Sequence, residues 1–419
     1  MIKRTITQAL EGHLTEKEMT ILIGPRQVGK TYLMKYLEGK LKAKGEKTLF
    51  LNLDIDDHRP FFDSQGQLIS YIELQVGKEK AYVFIDEIQR KENAELFLKG
   101  IADMNLPYKF IISGSGSLEL KAKISESMAG RKRMFSIDPI SLKEFINFRT
   151  EYRYEDRLGE FFALEKDKTQ RFLEEYMVFG GYPQVILSDT VWKKQSAMEE
   201  IYKSYIEQDI KKLLNIEKEE AFTNLLKVIA SQIGSLVNTT ELSSTIGIAD
   251  KTVQHYLWYL EKTFIIKKVS PYYRNVRKEI SKSPVYYFYD IGLRNFLLGL
   301  FGLPRIPQPL SGHLFENLIF NMLREQFDMS PTQIHFWRTR DRAEVDFILV
   351  TGLEAVPLEA KHKRMSKLEM PRSFRSFLRK YKPKKAYLIH LGDKQEAVID
   401  KTKIYVLPFH ALLEQSKLK

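Results

Sequence analysis

Cysteine is absent from all 419 residues. No disulfide can staple the fold and no thiolate can hold a metal, so a reducing, cytoplasmic setting is the natural expectation. No apolar run approaches the roughly eighteen residues that a bilayer-spanning helix needs. The opening stretch MIKRTITQAL lacks an extended apolar signal core. A protein with no membrane partner is expected. Strong internal repeats and long low-complexity segments are missing too. Acid is in short supply, with 54 Asp and Glu against 66 Lys and Arg, a net charge of +12 and a pI near 9.3. That balance favours polyanionic partners, DNA among them, without establishing one. The hydrophobic content of 43% is that of a globular protein, and the length points to roughly two to four domains.

What is present starts with a strand, a glycine loop and a helix. Met19–Gly24 is apolar enough for a buried strand, GPRQVGKT fills residues 24–31, and Tyr32–Leu41 has a helical pattern. This is the P-loop arrangement. The backbone N–H groups of Gly24, Pro25 excepted, Arg26, Gln27, Val28 and Gly29, with the helix N-terminus behind them, suit the α and β phosphates of ATP. Lys30 would reach the β and γ phosphates, Thr31 would place its hydroxyl on Mg²⁺, and Tyr32 closes the stretch. A chance glycine loop is the bland alternative.

A second buried strand, Ala81–Asp86, ends in two acids, Asp86 and Glu87. Asp86 would hold Mg²⁺ and Glu87 would polarise the attacking water. The alternative is a pair of acids that cap the next helix. Tyr108–Ser115 is another apolar run, and either Ser113 or Ser115 could sense the γ-phosphate. Thr48–Asn52 is a fourth strand, whose Asn52 could restrain Glu87 or simply close the strand. Parallel sheets bind ligands at their carboxyl ends, where these groups fall.

GPRQVGKT, VFIDEIQR, IISGSGS and AGRKRMFSIDPISLKEF together resemble AAA-type ATPases of the archaeal-ATPase group, which are often fused to a C-terminal domain of formally unknown function. FGGYPQV, the stretch 205–209, AEVDFIL and PLEAK extend the resemblance over nearly the whole chain. It implies ATP hydrolysis, and it implies Arg131 as a finger reaching a neighbouring subunit's γ-phosphate in a homo-oligomer. A solvated basic loop at Arg131–Arg133 is the other reading.

The expected fold is α/β, in four regions: an ATPase core over 1–149, a helical lid over 150–217, a winged-helix-like module over 218–283 and a nuclease-like domain over 284–419. In the third region Phe222–Val237 suggests a helix. Thr239 or Thr240 would cap Glu241–Ile246, Gly247 turns the chain, and Asp250 would cap Lys251–Lys262. A strand at Phe264–Val269 suggests a wing. Lys251, Thr252, Gln254 and His255 are candidates for base edges, and Lys267, Lys268, Arg274, Arg277 and Lys278 for phosphates. Tyr256, Trp258 and Tyr259 argue instead for a buried packing unit.

The last region reads as a helix carrying Glu316, a strand Ile334–Arg340, a strand Ala343–Val350 with Asp346, and a strand Glu354–Lys361 with Glu359 and Lys361. Thr351-Gly352 joins the last two. That order resembles the PD-(D/E)xK nuclease core, although Val345 stands where proline would precede Asp346. The resemblance implies that Glu316, Asp346 and Glu359 bind a second Mg²⁺ or Mn²⁺ and that Lys361 holds or deprotonates water. A surface cluster of ion pairs is the bland reading. Two functions stay open: an ATPase whose state controls a DNA-cutting domain, and an ATP-dependent regulator that binds DNA or protein without cutting. A degenerate ATP-binding scaffold fits less well, because both nucleotide motifs are intact.

Overall fold

A computed structural model describes residues 2–115, 128, 130–205, 219–273, 282–328, 330–339, 341 and 343–414. The wing cations Arg274, Arg277 and Lys278, and most of the 205–209 stretch, lie outside the described residues.

Five strands make the first sheet: β1 (Met19–Gly24), β2 (Thr48–Asn52), β3 (Ala81–Asp86), β4 (Tyr108–Ser115) and β5 (Lys132–Ser136). They run in the order β2-β3-β4-β1-β5 and every pairing is parallel. β1 and β3 are buried along their whole length, which explains their unbroken apolar runs. β4 lies between them, so Ser113 enters the space between the glycine loop and the acid pair.

β5 corrects the sequence reading. The basic run Arg131–Arg133 is not a solvated loop: Lys132 and Arg133 begin a strand beside β1, and Arg133 lies over the Phe135 ring at 5.5 Å. The helix after the glycine loop begins at Lys30, two residues before the expected start.

Helices fill the middle of the chain, including Leu142–Arg149, Lys166–Phe179, Val191–Ser204 and Glu219–Ser231. Two expected caps are displaced by one residue. Asn238, not Thr239 or Thr240, caps Thr239–Ile246 through its side chain. Ala249 precedes Asp250–Lys262, with Asp250 already in its first turn. A two-stranded antiparallel ribbon, β6 (Ile266–Val269) and β7 (Val285–Phe288), follows these helices. The helix Asp250–Lys262 buries Val253, Tyr256, Leu257, Tyr259 and Leu260 and exposes Lys251, Gln254, His255 and Trp258.

The second sheet contains β8 (Gln333–Arg338), β9 (Glu344–Thr351), β10 (Glu354–Ala360), β11 (Lys385–His390), β12 (Gln395–Ile399) and β13 (Thr402–Pro408), ordered β12-β13-β11-β10-β9-β8. β8, β9 and β10 form an antiparallel meander, while β11 and β13 run parallel to β10. The helix Leu310–Phe327 packs on one face against Phe347 and Leu358. The helix Arg372–Tyr381 packs on the other against Trp337, Val345 and Ile348. Lys361 lies one residue beyond the end of β10, not within it.

One continuous core links the face of the first sheet that carries Leu22 and Phe84 to the middle helices and to the second sheet. At its centre is a polar junction. The buried Asp290 carboxylate accepts from the Gly181 N–H at 2.6 Å and the Leu293 N–H at 2.7 Å. Tyr176 donates to the Ile140 carbonyl at 2.7 Å, and Asn295 donates to the Met177 and Val178 carbonyls. Burial pushes the Asp290 carboxyl up to about 6 against the pull of these N–H groups.

Candidate functional site

The glycine loop owes its shape to two glycines with different jobs. A Cβ on Gly24 would stand 2.1 Å from the Ile137 carbonyl oxygen, so close backbone approach excludes a side chain. Gly29 has open space around it but a φ of 94°, a left-handed backbone that favours glycine. The Lys30 ammonium is buried and donates to the Gly24 and Pro25 carbonyls at 3.0 and 2.6 Å. Its charge therefore lies within the loop.

Thr31 donates to Asp86 Oδ2 at 2.7 Å. Ser113 donates to Asp86 Oδ1 and accepts from the Glu87 N–H at 3.3 Å. Lys30, Thr31, Asp86, Glu87 and Ser113 are thus brought together at the carboxyl ends of three adjacent strands. Ser115 pairs in register with Gly24 at the same edge. Burial raises the Glu87 carboxyl, with Asp86 adding to the shift and Lys30 opposing it. A carboxylate made more basic in this way suits proton acceptance.

Asn52 does not restrain Glu87. Its side chain accepts from the Asp54 N–H at 2.7 Å and closes a turn. The partner is Gln89, whose side-chain amide donates to Glu87 Oε2. Arg131 is also not at the loop. It lies at the amino end of β5 and pairs with Asp103 at 2.5 Å. A finger role for Arg131 therefore concerns a second copy of the chain or none.

A cleft of about 1520 Å³ opens over the loop, lined by Arg26, Lys30, Thr31, Tyr32 and Glu87 on one side and by Lys143 and Gln184 on the other. Tyr32 is exposed at its edge. Sequence reading missed Arg4, which donates to the Val28 carbonyl at 3.1 Å, to the Asp138 carbonyl at 2.6 Å and to Glu144 at 3.1 Å. Arg324, on the helix Leu310–Phe327, pairs with the Asp138 side chain at 2.7 Å. Charge-assisted bonds through Arg4, Asp138 and Arg324 therefore link the loop to the helix that packs on the second sheet.

The C-terminal candidates also converge, but not as a cation cage. Among the described residues no three His, Asp or Glu side chains are arranged to hold a metal. Each carboxylate is engaged by a protein donor instead. Tyr287 donates to Glu316, the Ala360 N–H donates to Asp346 at 2.8 Å, and Lys361 pairs with Glu359 at 2.6 Å. The residues expected to hold a second metal, Glu316, Asp346 and Glu359, thus stand together with hydrogen-bond and lysine partners of their own. Burial raises all three carboxyls, and Asp346 raises Glu316 and Glu359 further. Burial opposes the Lys361 charge, but Asp346 and Glu359 outweigh it and raise its affinity for protons.

A bulge helps to place Asp346. Pairing between β8 and β9 shifts between His335 and Trp337, and Val345 and Ile348 both face the helix Arg372–Tyr381. Strict alternation would put two residues three apart on opposite faces; the extra residue re-aims the side chains between them. Tyr287 and the bulge carried no sequence signal.

Residues 16–146 match a family model described as an AAA domain. Residues 170–303 and 311–412 match two domains of unknown function, DUF8612 and DUF4143. An uncharacterized protein of Haemophilus influenzae is 24% identical over 341 residues, 78% of each chain. MJ1544 of Methanocaldococcus jannaschii, also uncharacterized, is 25% identical over 83% of this chain and 75% of its own. Rv2008c of Mycobacterium tuberculosis, uncharacterized as well, is 24% identical over 95% of this chain and 82% of its own. Among solved structures, Cdc6p of Pyrobaculum aerophilum aligns over 72% of this chain and 95% of its own, at 10% identity and a TM-score of 0.29. AMPPCP-bound DnaA of Aquifex aeolicus aligns over 61% and 86%, at 12% identity and a TM-score of 0.28. The strand order and the loop, rather than these superpositions, define the P-loop α/β fold. No helix among the described residues is long and apolar enough to cross a membrane.

Proposed function

We propose that this chain binds Mg-ATP, hydrolyses it, and uses the nucleotide state to reposition its C-terminal half. One observation carries the reading: Thr31, Asp86, Ser113 and Glu87 form a continuous polar chain beside Lys30 at the carboxyl edge of the first sheet. Lys30 and the loop N–H groups hold the phosphates. Thr31 and Asp86, already hydrogen-bonded to each other, are the oxygen donors that would hold Mg²⁺, which neutralises charge on the phosphate oxygens. Glu87 accepts the proton of the attacking water, and Gln89 positions it. Arg4 and Arg324 give a change at Val28 a route to the helix that carries Glu316. The expected result for the purified full chain is phosphate release from ATP that stops when EDTA removes the divalent ion. Release that is indifferent to EDTA would overturn the reading.

A second reading concerns the C-terminal cluster. Glu316 on its helix, Asp346 on β9, Glu359 on β10 and Lys361 just past β10 converge on one charged cluster, where Lys361 pairs with Glu359 at 2.6 Å and each carboxyl is shifted by its neighbours. We infer from this convergence a metal-dependent phosphodiesterase acting on DNA, in which Glu316, Asp346 and Glu359 would hold a divalent cation and Lys361 would hold or deprotonate water. The expected outcome is nicking of supercoiled DNA in Mg²⁺ or Mn²⁺ that Glu359→Ala abolishes while ATP turnover persists. Intact DNA in both cations would leave the non-cutting regulator, with the exposed residues Lys251, Gln254 and His255 as its DNA-facing side.

A further inference from the structure

The segment from Lys361 to Lys385 holds eleven lysines and arginines and a single acid, Glu369. Its helix, Arg372–Tyr381, contains no acid at all. Phe374, Phe377 and Leu378 are buried against the second sheet. The opposite side exposes Arg372, Arg375, Ser376, Arg379 and Lys380, and Lys382 and Lys384 continue it. We propose that this face is a docking surface for the phosphate backbone of a nucleic acid.

Arg372, Arg375 and Arg379 stand three and four residues apart, where like charges repel on a helix. Among the described residues none of the three has a carboxylate partner. Glu369, the nearby acid, is taken by Lys363 at 2.5 Å, and Glu354 lies 4.0 Å from Lys384. An ordinary solvated helix face mixes charge signs; this one retains the repulsion. An external polyanion relieves it.

Geometry narrows the partner. From Arg372 to Arg379 the helix rises about 10 Å, at about 1.5 Å per residue. Phosphates on one strand of a duplex recur about every 3.4 Å along the axis, so about three fall within that reach. Arginine forks bind phosphate bidentately, and all three positions are arginine. Lys380 is steadied beside them, its ammonium over the Trp337 and Tyr381 rings at 5.7 and 5.3 Å.

A lipid surface fits less well. Lasting attachment to a bilayer adds inserted apolar side chains to the attraction of charge, and the apolar residues of this helix are in the core. An acidic protein also fits less well, because the face offers no apolar centre for an interface. The inference is independent of ATP turnover and of cleavage: this helix and the one carrying Glu316 cover opposite faces of the sheet.

The test is binding of a random-sequence DNA duplex to the full chain across a salt series, comparing the native protein with the triple variant Arg372→Gln, Arg375→Gln, Arg379→Gln. The expected result is at least a tenfold loss of affinity at low salt. The slope of log K against log salt should become shallower by about 2–3, since each phosphate contact contributes about 0.9. ATP turnover and the unfolding temperature should stay unchanged. A control triple variant, Lys17→Gln, Lys42→Gln, Lys44→Gln, removes equal charge elsewhere and should shift the slope by less than one. Equal effects of both triples would overturn the proposal, as would unchanged binding in the arginine variant. It would also fall if the arginine substitutions abolished binding to phosphatidylserine vesicles or polyglutamate but left DNA binding intact.

Discussion

Replacing Lys30 by Ala is expected to remove ATP binding, whereas Glu87→Gln is expected to keep it and stop turnover. The two side chains lie in one site, so the contrast separates their roles. The buried Lys30 ammonium brings its charge into the loop through the Gly24 and Pro25 carbonyls. Charge-assisted hydrogen bonds contribute about 1.5–3 kcal/mol each. Losing the ammonium should weaken ATP about a hundredfold or more, at about 1.4 kcal/mol per tenfold. Glu87 is different. Burial raises its carboxyl, which accepts from the Gln89 side-chain amide. Gln at this position preserves shape but cannot accept the proton, so turnover should fall by about 10²–10⁴ while affinity stays within a few fold. Fluorescent-nucleotide titration and phosphate release, run on both variants, check the split. Equal loss of binding in both would make Glu87 a structural residue.

The second large effect is on stability, at the junction around Asp290. Alanine at Gly292 would put a Cβ 2.1 Å from the Phe179 carbonyl oxygen, and alanine at Gly181 would put one 2.2 Å from that of Ile140. Both obstacles are backbone, so no rotamer change relieves them. The same segments also carry the Asp290 and Tyr176 bonds, and a shift would strain several at once. Each substitution should cost about 3 kcal/mol or more and lower the melting temperature by roughly 5 °C or more. Gly39 gives the opposite sign. It is exposed within the helix Lys30–Ala43, and its added Cβ would meet nothing. Gly39→Ala should be neutral or stabilise by up to about 1 kcal/mol. Calorimetry on the three variants checks this. A melting temperature for Gly292→Ala equal to that of the native chain would show that the junction yields easily.

The nucleotide half was legible in the sequence because its parts are local. A glycine loop between strand and helix, and an acid pair closing an apolar run, each lie within a few residues. The partners that tune them were not legible. Gln89 is only two residues from Glu87, but a left-handed turn at Glu87, with φ of 59°, brings them together, and no periodicity announces it. Arg4 reaches Val28 and Asp138 across long stretches of chain, which only the tertiary fold sets. β5 was hidden because Lys132 and Arg133 have polar ends on apolar stems, and Arg133 carries its guanidinium over the Phe135 ring. In the C-terminal sheet the order of Glu316, Asp346, Glu359 and Lys361 foretold their convergence. Sequence spacing gives no sign of Tyr287 or the Ala360 N–H as partners of those carboxyls, because the fold alone brings them there.

The proposed Mg-ATP site, residues 24–31 with Asp86 and Glu87, is best tested by calorimetric titration of ATP with Mg²⁺ into the native full chain, beside Lys30→Ala. Saturable binding at one site per chain is expected in the native protein, with none in the variant at the same concentrations. Equal binding in both, or no binding in either, would rule the site out.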